Sequence, residues 1–381
     1  MILFRYEGYK MKYEVAESIL RSTLGHWDLE TMVQETRNIQ IISEIKYDDY
    51  QQYTHGMRFV ESLALWMRQF ENNNEKDIAY NMVKTLLVFI SEEEMRQLVA
   101  NVFPGMIKKC IINKARSFCV DHNILDIEER RRIYQYYERT SLFLGLSDGA
   151  HMDYFRRQNS HLNNEQIFIH YDFSEQKSKD MEEELRNTQL IKEITDRYTN
   201  ELQAQFNCIF LIDDFAGSGK SYIRREEDGW HGKIVRFLKQ MKERNYDCGQ
   251  TDIYLLLYLS TNKALETIRN GIKQYEEEEQ APNIQVDALQ LINPIDWNAN
   301  QDLYSLLKKN YQSCIGRNLP DYVDRHWKKG NGHEPYLGFS DCSLALVLSH
   351  NTPNNSLPVI WYSWGEKVDA LFPRVTRHKE I

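Results

Sequence analysis
The chain is 381 residues long, more than one ordinary core accommodates, so two domains are expected. Its 42% hydrophobic and 12% aromatic residues suffice for packed cores and exclude a disordered polymer. With 56 acidic against 47 basic residues the formal charge is −9. That argues against a surface built mainly to coat nucleic acid, but leaves room for a small anion site made of backbone N–H groups.

The longest apolar runs, such as Leu86–Ile90 and Leu344–Leu348, fall far short of the roughly 20 residues a membrane-spanning helix needs. The segment from Met1 to Glu7 lacks the layout of a signal peptide. Six cysteines (Cys110, Cys119, Cys208, Cys248, Cys314, Cys342) are scattered without a C-x-x-C pair. We read each as a small buried hydrophobe in a reduced, cytoplasmic protein.

Residues 1–140 read as helical. Phe59, Val60, Leu63, Leu65, Trp66, Met67 and Phe70 recur at roughly helical spacing, and such an aromatic stripe is core. Ser91-Glu92-Glu93-Glu94 has the form of a capping box, whose helix should reach about Val102 and stop before Pro104-Gly105. Asp126-Ile127-Glu128-Glu129 offers a similar start for a helix through Tyr137. No chemical signature accompanies these elements.

After Thr140 the pattern changes. Short apolar runs at 141–146, 166–170, 208–212 and 253–259 alternate with helical stretches at 177–202, 235–241 and 262–278. Continuous apolar strands separated by helices indicate parallel β-α-β units. Residues 284–292 return as a strand, and Glu276–Glu279 reads as the solvated end of the helix before it. Further on, the runs 344–348 and 357–361 enclose a dense cluster of turn formers, 349–356. The expectation is a helical N-terminal domain over 1–140, then an α/β domain over 141–381 with a C-terminal extension.

The stretch Ile209 to Ser221 carries the chemistry. A buried strand leads into two acids, Asp213 and Asp214, then a glycine-rich turn, Ala216-Gly217-Ser218-Gly219-Lys220-Ser221. In open α/β sheets ligands sit beyond the carboxyl ends of the strands. Glycines let successive N–H groups face one phosphate, and Ser218 and Ser221 add hydroxyl donors. Two carboxylates would repel a phosphate alone, so they suit a ligand that also offers a pair of hydroxyls or a bound Mg²⁺. Gly219-Lys220-Ser221 imitates the tail of a P-loop, but that motif needs glycine where Asp214 stands. The bland alternative is an ordinary turn with solvated acids.

This segment resembles the ribose-phosphate loop of type I phosphoribosyltransferases: strand, two acids, a short spacer, Ser/Thr-Gly, then a hydroxyl residue. The resemblance implies a Rossmann-like parallel sheet of that kind. It also implies that Asp213 and Asp214 take the ribose hydroxyls of phosphoribosyl pyrophosphate while Ala216 to Ser221 take its 5-phosphate. Lys220 departs from the small residue often found there. Along 140–365, Leu144 to His151, Tyr154 to Arg157 and His350 to Pro358 resemble the phosphoribosyltransferase-like proteins of prokaryotic conflict-type operons. That implies a broad association with phage defence, leaving room for an operon-encoded protein partner.

Secondary candidates surround the loop. Ser147-Asp148-Gly149-Ala150-His151 follows the first strand of the α/β part, where the resemblance places a pyrophosphate loop. Arg156 or Arg157 could neutralise pyrophosphate charge there. The alternative is a tight strand-to-helix turn beside a basic surface. Asp148 in such a loop needs Mg²⁺ or an outward rotamer. His350 and Asn351, with Asn354 and Asn355, suit the edges of a nucleobase or form a polar hairpin loop. His151 and His170 are lone histidines, no cluster has zinc-ligand spacing, and no Gly-x-Ser-x-Gly elbow occurs. Two functions stay open: a Mg²⁺-dependent phosphoribosyl transfer to an unknown acceptor, or a non-catalytic nucleotide sensor on the same fold. The acceptor and the oligomeric state, a homo-oligomer included, are not legible.

Overall fold
The computed structural model of the chain describes residues 11–169, 175–199, 201–243, 251–315, 330, 332–363 and 368–375. In chain order the helices α1 (Tyr13–Leu24), α2 (Leu29–Ile45), α3 (Phe59–Met67) and α4 (Asn73–Thr85) precede a short strand β1 (Val88–Ile90). Then come α5 (Glu92–Val102), α6 (Lys108–Asp121) and α7 (Ile127–Arg139). The α/β part follows with β2 (Ser141–Gly145), α8 (Met152–Gln158), β3 (Ile167–Ile169), α9 (Glu175–Asn187), α10 (Gln189–Arg197) and β4 (Cys208–Ala216). It continues with the hairpin β5 (Arg224–Glu226) and β6 (Gly229–His231), then α11 (Lys233–Glu243), β7 (Asp252–Ser260), α12 (Asn262–Glu279) and β8 (Ile284–Leu291). The last elements are α13 (Gln301–Asn310), β9 (Leu346–Leu348) and a single helical turn, α14 (Pro358–Trp361).

Several expectations are met residue by residue. Ser91 and Glu94 form the reciprocal capping box, with Glu94 N–H donating to Ser91 Oγ at 3.2 Å and Ser91 N–H to Glu94 Oε2 at 2.8 Å. The α-helix ends at Val102 as expected, yet Phe103–Ile107 continue as a π turn straight into α6. Pro104 lacks the N–H that a continuing α-helix would use, and the π turn falls where that regular ladder is interrupted. The stretch expected as one helix over 177–202 is two, parted at Thr188, whose extended ψ of 124° starts α10. The hairpin of β5 and β6 was not anticipated. Cys119, Cys208 and Cys342 are buried and Cys110 is half-buried. Cys248, His170 and the side chain of Cys314 lie outside the described residues.

By contact the chain forms two compact units, Met1–Glu94 with Asn293–Ile381, and Met95–Ile292. The division follows contact rather than the composition change near residue 140. In the first unit β1 pairs in parallel with β9, Phe89 opposite Val347. The fully buried Trp66 donates from its indole nitrogen to the Val359 carbonyl at 2.6 Å. Phe372 packs among Tyr47, Tyr50, Phe59 and Phe89 with ring centroids 5.2–5.7 Å apart. Such pairing binds residues far apart in sequence into one core.

The second unit is built on a five-stranded parallel sheet in the order β3-β2-β4-β7-β8. Ile253 to Ser260 are all buried, as are the first six residues of β4, as expected of strands covered on both faces. Phe143, Phe210 and Tyr254 stand opposite one another in register and stack at 5.4 and 4.9 Å, a ladder across the three central strands. Counting sheet strands in sequence order gives 2-1-3-4-5, so the winding reverses between β2 and β4. That reversal is where an open α/β sheet leaves a crevice beyond its carboxyl ends.

Candidate functional site
Both sequence-predicted loops lie at that reversal, one after β2 and one after β4. β4 runs two residues past the acid pair, to Ala216, so Asp213 and Asp214 belong to the strand itself. Consecutive strand residues point to opposite faces, and the two carboxylates have different surroundings. Asp213 is fully buried, whereas Asp214 is half-buried.

Three donors converge on Asp213. Ser147 Oγ donates to one carboxylate oxygen, and the Tyr222 hydroxyl, at 2.7 Å, and the Lys233 ammonium donate to the other. Burial pushes the Asp213 carboxyl above its ordinary value; the Lys233 charge opposes this and the Asp214 charge adds to it. Asp214 packs against the first turn. A Cβ on Gly149 would stand only 2.7 Å from Asp214 Cγ, so a side chain there would have to displace the Asp214 carboxyl. Tyr258, on β7, completes the ring by donating to the Ala150 carbonyl at 2.6 Å. Burial, then the Asp214 and Asp213 charges, hold its hydroxyl well above the usual range, so it stays a protonated donor.

The glycine turn is fastened through its carbonyls. Gly217 O accepts from Thr261 Oγ at 2.7 Å, Gly219 O from the Tyr222 N–H at 3.0 Å, and Ser221 O from the Lys233 N–H at 3.0 Å. Gly219 has φ +77°, and a Cβ there would meet the Ala264 carbonyl at 2.7 Å. Among the described residues, the N–H groups of Gly217, Ser218, Gly219 and Ser221 bond to no protein acceptor. A run of unmatched amides at a strand end is the kind of backbone that can form an anion-binding concavity. Ser218 is buried beside them, Lys220 is half-buried and Ser221 is exposed.

The structure thus brings Ser147, Gly149, Ala150, Asp213 and Asp214 together, with the 216–221 turn following directly from β4. Asp148, next to Gly149 in the chain, and Asp214, packed against it, are hard oxygen donors of the kind Mg²⁺ takes, one or two at a time with phosphate oxygens and water. The two arginines are engaged with other groups. Arg156 donates to the Ile167 carbonyl at 2.7 Å and lines a groove of about 520 Å³ beside β3 with Asn164, Glu165 and Phe168. Arg157 is exposed and pairs with Asp153 at 3.6 Å. His350 and Asn351 belong to the first unit. There the Asn351 side-chain oxygen accepts from the Thr352 and Val375 N–H groups at 3.0 and 3.2 Å, and the His350 carbonyl accepts from Gln52 at 2.8 Å.

Sequence reasoning did not single out Tyr222, Lys233 or Tyr258. The first two follow the loop without motif spacing, and Tyr258 is hidden in an apolar run. Its polar tip two residues before a strand end was the one available signal.

The arrangement sets a buried carboxylate, a half-buried carboxylate and a glycine turn side by side at the switch point of a parallel sheet. The profile of the PRTase-CE family, a phosphoribosyltransferase-like family, matches residues 63–374. The chain belongs to the PRTase-CE family. The match takes in both loops and all five strands of the sheet, and extends into both units. No curated protein and no solved structure matches the chain. Among the described residues no helix is long and apolar enough to cross a membrane.

Proposed function
We propose that this PRTase-CE protein binds phosphoribosyl pyrophosphate, or a related ribose 5-phosphate, with Mg²⁺ and transfers the phosphoribosyl group to an acceptor. The observation that supports this most is the set of amides of Gly217, Ser218, Gly219 and Ser221, which among the described residues meet no protein acceptor and follow β4 at the reversal of the sheet. Those amides and Ser218 would cradle the 5-phosphate, and Asp214 would accept from the ribose hydroxyls. The turn 147–150 would face the diphosphate. An acceptor nucleophile bonds to ribose C1 as the C1–O bond to diphosphate breaks, and the electron pair leaves with diphosphate. Asp148 and Asp214 would hold Mg²⁺, whose chemistry there would be positive charge against the leaving group. The protein's part is positioning and fixed dipoles, with no covalent intermediate.

A second reading, a nucleotide sensor, draws on the arginines. Arg156 and Arg157 each bond elsewhere, and the turn itself carries Asp148 and no cation. A site that holds ribose phosphate but grips diphosphate weakly would sense rather than transfer. The likeness of residues 140–365 to conflict-operon proteins favours a cytoplasmic role in prokaryotic defence for either reading.

Calorimetry with Mg²⁺ tests the proposal on the full chain. Phosphoribosyl pyrophosphate should bind, and Asp213→Asn/Asp214→Asn should lose it. If phosphoribosyl pyrophosphate, ribose 5-phosphate and nucleoside monophosphates all fail to bind, the site reading is wrong. Diphosphate release with a panel of nucleobase acceptors separates transferase from sensor.

A further inference from the structure
Two neighbouring carboxylates are a poor setting for a phosphorylated ligand, since both repel it. Resting on the site proposed above, we infer that Lys233 is the internal counter-ion of Asp213, leaving Asp214 as the one carboxylate that reads the sugar. Asp213 then acts as a positioning residue rather than as a ligand contact.

The geometry carries this assignment. Asp213 has no exposed surface, and donors from three segments occupy its oxygens: Ser147 from the turn after β2, Tyr222 from the end of the glycine turn, and Lys233 from the start of α11. No surface of Asp213 is open to a hydroxyl. The Lys233 ammonium also lies 5.1 Å from the centre of the Tyr222 ring, which holds the cation over an aromatic face. The backbone reinforces the side chains: the Lys233 and Ile234 N–H groups donate to the Ser221 and Tyr222 carbonyls, both at 3.0 Å. One buried carboxylate thus ties both ligand turns to the first turn of α11. Its charge is balanced inside the protein by Lys233, so Asp213 adds no net negative charge against a bound phosphate.

Asp214 is half-buried and stands against Gly149, between the two turns. As a carboxylate within reach of solvent it can accept from the 2-hydroxyl of a bound ribose. A sugar lacking the 2-hydroxyl would forfeit one charge-assisted hydrogen bond.

Calorimetry of the full chain with ribose 5-phosphate and 2-deoxyribose 5-phosphate tests the division of labour. The native protein should prefer ribose 5-phosphate by about tenfold, the worth of one hydrogen bond to a charged group. Asp214→Asn should abolish that preference. Lys233→Met should weaken both ligands by at least about tenfold and keep their ratio, because a buried charge is left uncompensated. That variant can fail to fold, so Asp213→Asn/Lys233→Met decides the matter. It removes both charges, with the introduced amide oxygen accepting from Tyr222 and its NH2 donating to the Ser147 hydroxyl oxygen, and it should restore affinity to within about threefold with the preference intact. Loss of the preference in Asp213→Asn/Lys233→Met, with Asp214→Asn retaining it, would make Asp213 the hydroxyl contact and overturn the inference. If neither sugar phosphate binds the native protein, the site reading itself fails and the inference falls with it.

Discussion

Two clusters of polar residues, 213–221 from the acid pair of β4 onward and 349–356 after β9, are put to opposite uses. In the second the polar atoms turn inward. Thr352 is fully buried, shares a hydrogen bond with the Tyr50 hydroxyl at 2.9 Å, and donates to the Phe372 carbonyl at 3.2 Å. Ser356 donates to the Leu346 carbonyl at 2.6 Å and Asn355 to the Phe339 carbonyl at 3.2 Å. These residues close a core. In the first cluster the carbonyls are tied back while amides are left without protein acceptors. Turn composition alone says only that the chain bends. Which backbone groups remain unmatched, and what lies beside them, separates a binding loop from a structural knot.

Four variants break or sharpen that contrast. The largest effect is expected from Lys233→Met, which strands the buried Asp213 charge and should lower stability by about 3 kcal/mol or more in urea unfolding. Gly219→Ala comes next, because it forces a Cβ to φ +77° and towards the Ala264 carbonyl at 2.7 Å. It should lower stability by about 1–3 kcal/mol and weaken phosphoribosyl pyrophosphate binding in calorimetry. Thr352→Val should cost about 1–2 kcal/mol in thermal unfolding through its lost hydrogen bonds. If it also abolished ligand binding, the contrast between the clusters would not hold. Arg157→Ala is the smallest: its pair with Asp153 is exposed, so stability should move by less than about 1 kcal/mol. A collapse of diphosphate binding in that variant would restore the arginine to the site.

Much of this was legible in the sequence because it is local. The apolar runs of β2, β4, β7 and β8, the capping box at Ser91 and Glu94, and the acid pair followed by a glycine turn all announce themselves within a dozen residues. The junction of the 147–150 turn with Asp214 was not legible. It depends on β2 lying beside β4 with Gly145 opposite Ile212, a register that no short window reveals. The pairing of β1 with β9 escaped notice for the same reason, since its partners are more than 250 residues apart. Lys233 stands before the 235–241 stretch that reads as helical, with no motif spacing to mark it. Only the fold brings it to Asp213, twenty residues earlier in the chain.

The central claim is that the turns at 147–151 and 213–221 form one ligand site. Hydrogen–deuterium exchange of the full chain, with and without phosphoribosyl pyrophosphate and Mg²⁺, tests it most directly. The account predicts that peptides covering both turns gain protection together, the amides of 217–221 most of all. Protection of one turn without the other, or of neither while ligand is bound, would contradict it.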